Sequence, residues 1–387
     1  MTVDQAREAA AGLGDDLIAL SHAIHANPEL GWEEYEASAR CAEMLGDAGF
    51  ALTDKPAGLD TAFVATVGSG PLHIALCAEY DCLPGIGHAC GHNMIAAMSV
   101  GAGLALRELV DDLGLTVSVM GTPAEEVGDA AGKIVMLEAG VFDNVHAAMM
   151  IHPGPIDAGN APWKAASMFD VHYHGKTSHA AAAPELGVNA LDAMTVAQTA
   201  IGLLRQHLDP SGQVHGIITH GGDAANVIPH ETSGRYIVRA PDLDQLERVR
   251  ERVLACFEAG ALATGSELEV AGGAKPYAQV RNDRGLMALY EQQAESLGRE
   301  LIPRSAFGDG RGAASTDMGN VSLALPAIHP LIGIDSLPAV PHQPEFAAHA
   351  VSGVADKAVV EGAAALAMTA AAAALDEATV ARLTKSG

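Results

Sequence analysis

Three short apolar runs constrain the fold of this chain more than any other feature: Leu72–Cys77, Leu115–Met120 and Ala147–Ile151. Each is bounded by turn residues, and helical stretches over 93–110 and 130–139 separate them. Short continuous apolar runs suit strands buried on both faces, so the alternation predicts an α/β domain with a mostly parallel sheet. Ahead of them, Leu13, Leu17, Leu20 and Ile24 share one helical face, and that helix ends before Pro28. A second helix is expected from Trp32 to Ala48.

The residues that end the runs carry chemistry. Glu79 and Asp81 follow the first, Glu125 and Glu126 the second, and His152 the third. Open α/β sheets bind ligands at the carboxyl ends of their strands, so these side chains are delivered to one edge. Between the first two runs lies Gly85–Ile95, which places His88, Cys90 and His92 within five residues. Glycines and Pro84 break regular structure around them and an apolar run follows, so they sit on a loop that opens a helix. A thiolate with imidazoles suits Zn2+ and its transition-series neighbours.

The individual residues are more ambiguous than the cluster. In Thr122-Pro-Ala-Glu125-Glu126, a loop lets one carboxylate hold a metal while the other stays free. A free carboxylate beside a metal-activated water is a good general base, whereas a solvated acidic loop needs no chemistry at all. His152 ends a strand, where a structural role and a ligand role both fit. His342, between prolines in Val340–Phe346, suits rigid ligand placement or a plain surface loop.

Near residue 165 the pattern changes. Strands are expected at Met168–His174, Val214–His220, Thr232–Ala240 and Glu267–Ala271, with helices at Val188–His207 and Leu243–Glu258. The order β-α-β-β-α-β is that of the ferredoxin-like unit. The chain therefore divides into a first part over 1–164, an inserted domain over 165–275, and a second part of the first domain over 276–387. A length of 387 residues also favours two domains. The alanine-rich stretch Gly362–Leu375 is too short to span a bilayer and reads as a C-terminal helix packed on the body.

Acidic residues outnumber basic ones 48 to 22, for a net charge of −26. That field repels phosphate backbones and anionic headgroups, which argues against nucleic acid and membrane partners. Five scattered cysteines are not a disulfide framework, and the N-terminus lacks the basic and apolar segments of a signal peptide. Together they imply a cytoplasmic protein.

The string Cys77-Ala-Glu-Tyr-Asp-Cys-Leu-Pro-Gly-Ile-Gly-His-Ala-Cys-Gly-His-Asn93 resembles the signature of the aminoacylase/carboxypeptidase family of dimetal amidohydrolases. Within it the string is most similar to the p-aminobenzoyl-glutamate hydrolase and aminoacylase-like dipeptidase branch. His25–Gly31, Pro123–Glu126, Gly175–Ala180, Asn226–Pro229 and Ser315–Asn320 agree with it, in order along the chain. Two departures stand out. The first motif reads Ala-Glu-Tyr-Asp where Ala-Asp-Met-Asp is usual, and Cys82 replaces a small inert residue.

The resemblance implies two divalent ions, Zn2+ or Mn2+ with Co2+ as an in vitro substitute, held by Cys90, His92, Glu126, His152 and His342. It implies Glu125 as general base and Asp81 as the carboxylate that orients a ligand. It implies an inserted lid that forms a homodimer, from which His179 and Asn226 reach the substrate carbonyl, often across the dimer interface. Arg239 is the candidate for a substrate carboxylate, with Arg235 and Arg311 as alternatives. Glu79 is read as structural. The implied activity is hydrolysis of the amide bond of a small N-acyl amino acid or dipeptide-like substrate. The same residues would serve hydrolytic deamination of an aromatic amine. A metal-binding scaffold without turnover would have no use for a free Glu125.

Overall fold

The computed structural model describes residues 2–385 other than 309, 311 and 312. Its strands are β1 (Ala51–Asp54), β2 (Phe63–Gly68), β3 (Leu72–Ala78), β4 (Leu115–Gly121), β5 (Ala147–Met149), β6 (His152–Gly154), β7 (Ala165–His174), β8 (Gln213–His220), β9 (Glu231–Ala240), β10 (Glu267–Gly272), β11 (Ala327–Ile328) and β12 (Leu331–Gly333).

The central sheet has the order β1-β2-β4-β3-β5-β11. β3 runs parallel to β4 and β5, and β5 parallel to β11, while β1 and β2 add an antiparallel edge. Ile74, Leu76, Val117 and Val119 are fully buried, as strands covered on both faces require. The helix His92–Leu106 follows β3 and is apolar nearly all round, so it lies buried in the body. Gly132–Glu138 follows β4 in the same way.

Three local expectations change. The first helix is two, Val3–Gly12 and Gly14–Ala26, and the second begins at Tyr35. β1 and β2 are additions: all four residues of β1 are exposed and show no apolar alternation, whereas β2 alternates buried and half-buried residues over its first half. The C-terminal helix spans Gly353–Leu375 and is long and apolar enough to cross a membrane. It starts early because Ser352 caps the amide of Ala355 and the helix continues through Lys357 and Glu361, which pair at 3.4 Å. Leu366, Ala367 and Ala370 are buried, and the helix packs on His92–Leu106 as a core element.

The second unit is an antiparallel sheet in the order β10-β7-β9-β8. Its helices, Ala190–Leu204 and Leu243–Thr264, pack together and against β7 and β9. Asn189 and Asp242 cap their N-termini. Phe169, Val171, Tyr173 and Phe257 build a core separate from that of the first unit. The chain leaves and rejoins the first unit at one place, where Ala166 pairs with Tyr277.

Candidate metal centre

The parallel strands deliver their terminal residues to one edge. β3 runs into Glu79 and Asp81, β4 into the turn Glu125–Val127, and β5 into His152. Cys90 and His92 arrive from the loop that opens the helix His92–Leu106. Gly91 there has φ +81°, and a Cβ on it would lie 2.5 Å from Pro153 Cγ, so a glycine is required on both counts. His342 comes from a remote loop whose backbone N–H donates to the Ala89 carbonyl at 2.9 Å. Its φ of +70° is uncommon for a residue with a side chain, and strain of this kind collects at functional sites.

The donor atoms fall into overlapping groups. Those of Cys90, His92 and His152 lie within 4.8 Å of one another, and so do those of Cys90, Glu126 and His342. Cys90 belongs to both, with Sγ 3.4 Å from His152 Nε2. The histidines are oriented by their other nitrogens. Asp81 Oδ1 lies 2.9 Å from His92 Nδ1 and the Pro153 carbonyl 2.6 Å from His152 Nδ1. Both partners accept, so each Nδ1 carries a proton and each Nε2 is turned toward the site. Asp81 Oδ2 also accepts the Glu126 amide at 2.8 Å, so one carboxylate steadies ligands of both groups.

Glu125 belongs to neither Cys90 group, and its Oε2 lies 3.9 Å from His92 Nε2. Its turn is clamped from two sides. Glu34, fully buried, accepts the amide of Ala124 at 2.7 Å, and the Tyr277 hydroxyl bonds the Glu125 carbonyl and the Gly128 amide.

The charge balance of these residues calls for a cation. Burial, then Glu79, Glu126 and Asp317, push the Glu125 carboxyl well above the usual range. Burial likewise raises Glu126, against His92 and His342. Burial and Glu126 hold the Cys90 thiol far above its ordinary value. Burial, then His92, bring His152 down to about 4. Glu79 Oε2, His92 Nε2 and Glu126 Oε1 are buried without a hydrogen-bond partner among the described residues. Unsatisfied buried acceptors are costly, and a mixed sulfur, nitrogen and oxygen donor set fits a divalent ion of the zinc type.

The centre opens into a cavity of about 780 Å³, also lined by Trp163, Tyr277, Arg239 and Ser315. Arg239 reaches across from the second unit and donates to Ser315 Oγ at 2.6 Å. Burial lowers its pKa, while Glu125 and Glu126 work against that shift. Arg235 is held in a bidentate pair with Asp170 at 2.7 and 3.0 Å and is not among the cavity residues. Arg311 lies outside the described residues.

The structure does not bring every expected residue to this cavity. His179 and Asn226 are exposed on the second unit and are not among its lining. His179 Nδ1 accepts the amides of Ala181 and Ala182 at 3.2 and 3.1 Å, so a neutral ring presents Nε2–H to solvent as a donor. Cys82 and His88 join none of the donor groups; the His88 ring lies 5.9 Å from that of His25. Trp163, Tyr277 and Glu34 carried no motif. Their place follows only from tertiary packing.

A parallel α/β edge that gathers these donors beside a spare buried carboxylate, with a second unit at the cavity wall, defines a metal-dependent hydrolase. Comparison with known proteins narrows this. Residues 164–264 match the M20 Peptidase dimerisation domain. The chain is 40% identical over 379 residues to the Xaa-Arg dipeptidase of Mus musculus, covering 94% of this chain and 86% of that protein. It is 34% identical to a component of the p-aminobenzoyl-glutamate hydrolase of Escherichia coli, over 63% of this chain and 54% of that one. Its fold is similar to a dinuclear metal-binding M20 peptidase of Bacillus subtilis, with TM-score 0.68, 22% identity, and 94% and 98% of the two chains covered. A putative aminohydrolase of Staphylococcus aureus gives TM-score 0.75 at 19% identity, over 95% and 99%. The chain belongs to the M20 family of metallopeptidases.

Proposed function

We propose that the chain hydrolyses the amide bond of a small dipeptide-like or N-acyl amino acid substrate at two divalent ions, Zn2+ or Mn2+. The observation that carries this is the sharing of Cys90 between two donor groups, with Glu125 beside them and outside both. Cys90, His92 and His152 would hold one ion, and Cys90, Glu126 and His342 the other. Bound there, the ions lower the pKa of water toward roughly 7 and polarise a carbonyl. Glu125 takes the proton from the attacking water and returns it to the leaving amine. Arg239 grips the substrate carboxylate with its planar fork. The test is amine release from N-acyl amino acids, p-aminobenzoyl-glutamate, β-alanyl dipeptides and Xaa-Arg dipeptides, with and without chelator. Chelator-sensitive hydrolysis of any of them is expected; release of ammonia from aromatic amines alone would move the reading to deamination.

The second unit serves as lid and dimer contact in this reading. Ile217 and Ile218 are exposed on β8, an edge strand of its sheet, and an uncovered apolar edge is a pairing surface. His179 would then donate its Nε2–H to the carbonyl oxygen in the partner's site. His179→Ala is expected to lower kcat by about 100- to 1000-fold, the cost of one oxyanion donor. Mixing His179→Ala chains with Glu125→Gln chains is expected to restore about a quarter of wild-type activity, since half of randomly formed dimers carry one intact composite site. No recovery on mixing would place His179 in its own chain's site.

A further inference from the structure

We propose that Glu79, locked by Lys133 and Asp317, is a positioning carboxylate of the metal centre that sets His92 and Glu125. The proposal rests on the two-ion reading above.

All three side chains are fully buried. Lys133 Nζ donates to Glu79 Oε1 and to Asp317 Oδ1, each at 2.5 Å, and the Lys133 amide donates to Asp317 Oδ2 at 3.0 Å. Three elements meet here: the end of β3, the helix Gly132–Glu138, and Asp317 at the start of the helix Met318–Ala324. Buried ion clusters of this kind are weak stabilisers, because apolar side chains of similar volume often do as well. Fold stability alone gives little reason for a lysine and two carboxylates beneath an active-site edge.

The second oxygen of Glu79 supplies a reason. Lys133 engages Oε1 and leaves Oε2 free. Oε2 is buried without a hydrogen-bond partner among the described residues and lies 3.5 Å from His92 Nε2. The donor atoms of Glu79, His92 and Glu125 lie within 4.8 Å of one another. Glu79 Oε2 therefore faces the same nitrogen of His92 that an ion would take, on the side of the ring opposite Asp81, and lies beside the carboxylate left free for proton transfer. The segment Ser315–Asn320 serves both sides of the cavity: Ser315 holds Arg239, and Asp317 holds Lys133.

The test uses full-length Glu79→Gln, Lys133→Met and the double variant. Chelated protein is titrated with Zn2+ and with Mn2+, a thermal melt is recorded, and kcat and KM are measured on the best amide of the panel. Glu79→Gln keeps an acceptor for Lys133, so its melt is expected to match wild type. Its metal binding is expected to weaken about 10- to 100-fold, the usual cost of losing an outer partner, and kcat to fall similarly with KM little changed. The double variant is expected to be no worse than the poorer single one, because the residues act as a unit. Should Lys133→Met fail to fold, Glu79→Gln decides alone. Wild-type metal affinity and kcat in Glu79→Gln would overturn the proposal. If wild type turns over no amide, the amidohydrolase reading falls, and the metal titration still decides this one.

Discussion

Replacing Glu125 with glutamine is expected to cut kcat by roughly 100- to 10,000-fold, the contribution of a well-placed general base, with both ions retained. The change keeps size and shape and removes one proton acceptor. Glu125 is nearly buried and lies outside both donor groups that contain Cys90. The clamps on its turn from Glu34 and Tyr277 act on backbone atoms and survive the substitution. Burial, then Glu79, Glu126 and Asp317, push its carboxyl well above the usual range in the absence of the ions. Metal analysis beside steady-state kinetics checks this. Near-normal turnover would move the base elsewhere, and lost metal would make Glu125 a ligand.

Cys90→Ala is expected to abolish activity and release both ions together. Cys90 is the donor common to both groups, so its loss leaves each with two donors. Losing an outer partner alone costs about 10- to 100-fold in affinity, and losing a shared ligand costs more. His342→Ala should be milder, because His342 serves one group and its side chain is 57% exposed. Binding is also expected to tighten as pH rises. Burial and Glu126 keep the Cys90 thiol protonated, so that proton must leave when the metal enters. Equal metal loss in Cys90→Ala and His342→Ala, or pH-independent binding, would contradict a shared thiolate.

The strand ends were legible because parallel strands give continuous apolar runs, and whatever follows each run reaches one edge. Glu79, Asp81, Glu125, Glu126 and His152 could be brought together on that rule, Cys90 and His92 came from the glycine-rich loop between the first two runs, and the order of the second unit followed from alternating periodicities. Position in sequence hid the rest. Lys133 reads as an ordinary surface lysine on a short helix, and its partner Asp317 lies 184 residues away. Glu34 acts on a backbone amide 90 residues distant, and no spacing announces such a bond. β1 escaped notice because an exposed edge strand needs no apolar pattern. The relation of His179 and Asn226 to the centre came only from the family resemblance, and a single chain leaves both exposed.

The measurement that tests the central claim most directly is a titration of chelated protein with Zn2+ or Mn2+, counting bound ions per chain while following amide hydrolysis. Two ions per chain, with turnover absent before metal and rising as the sites fill, is the predicted result. Hydrolysis by metal-free protein, or full turnover with no ion bound at Cys90, would contradict it.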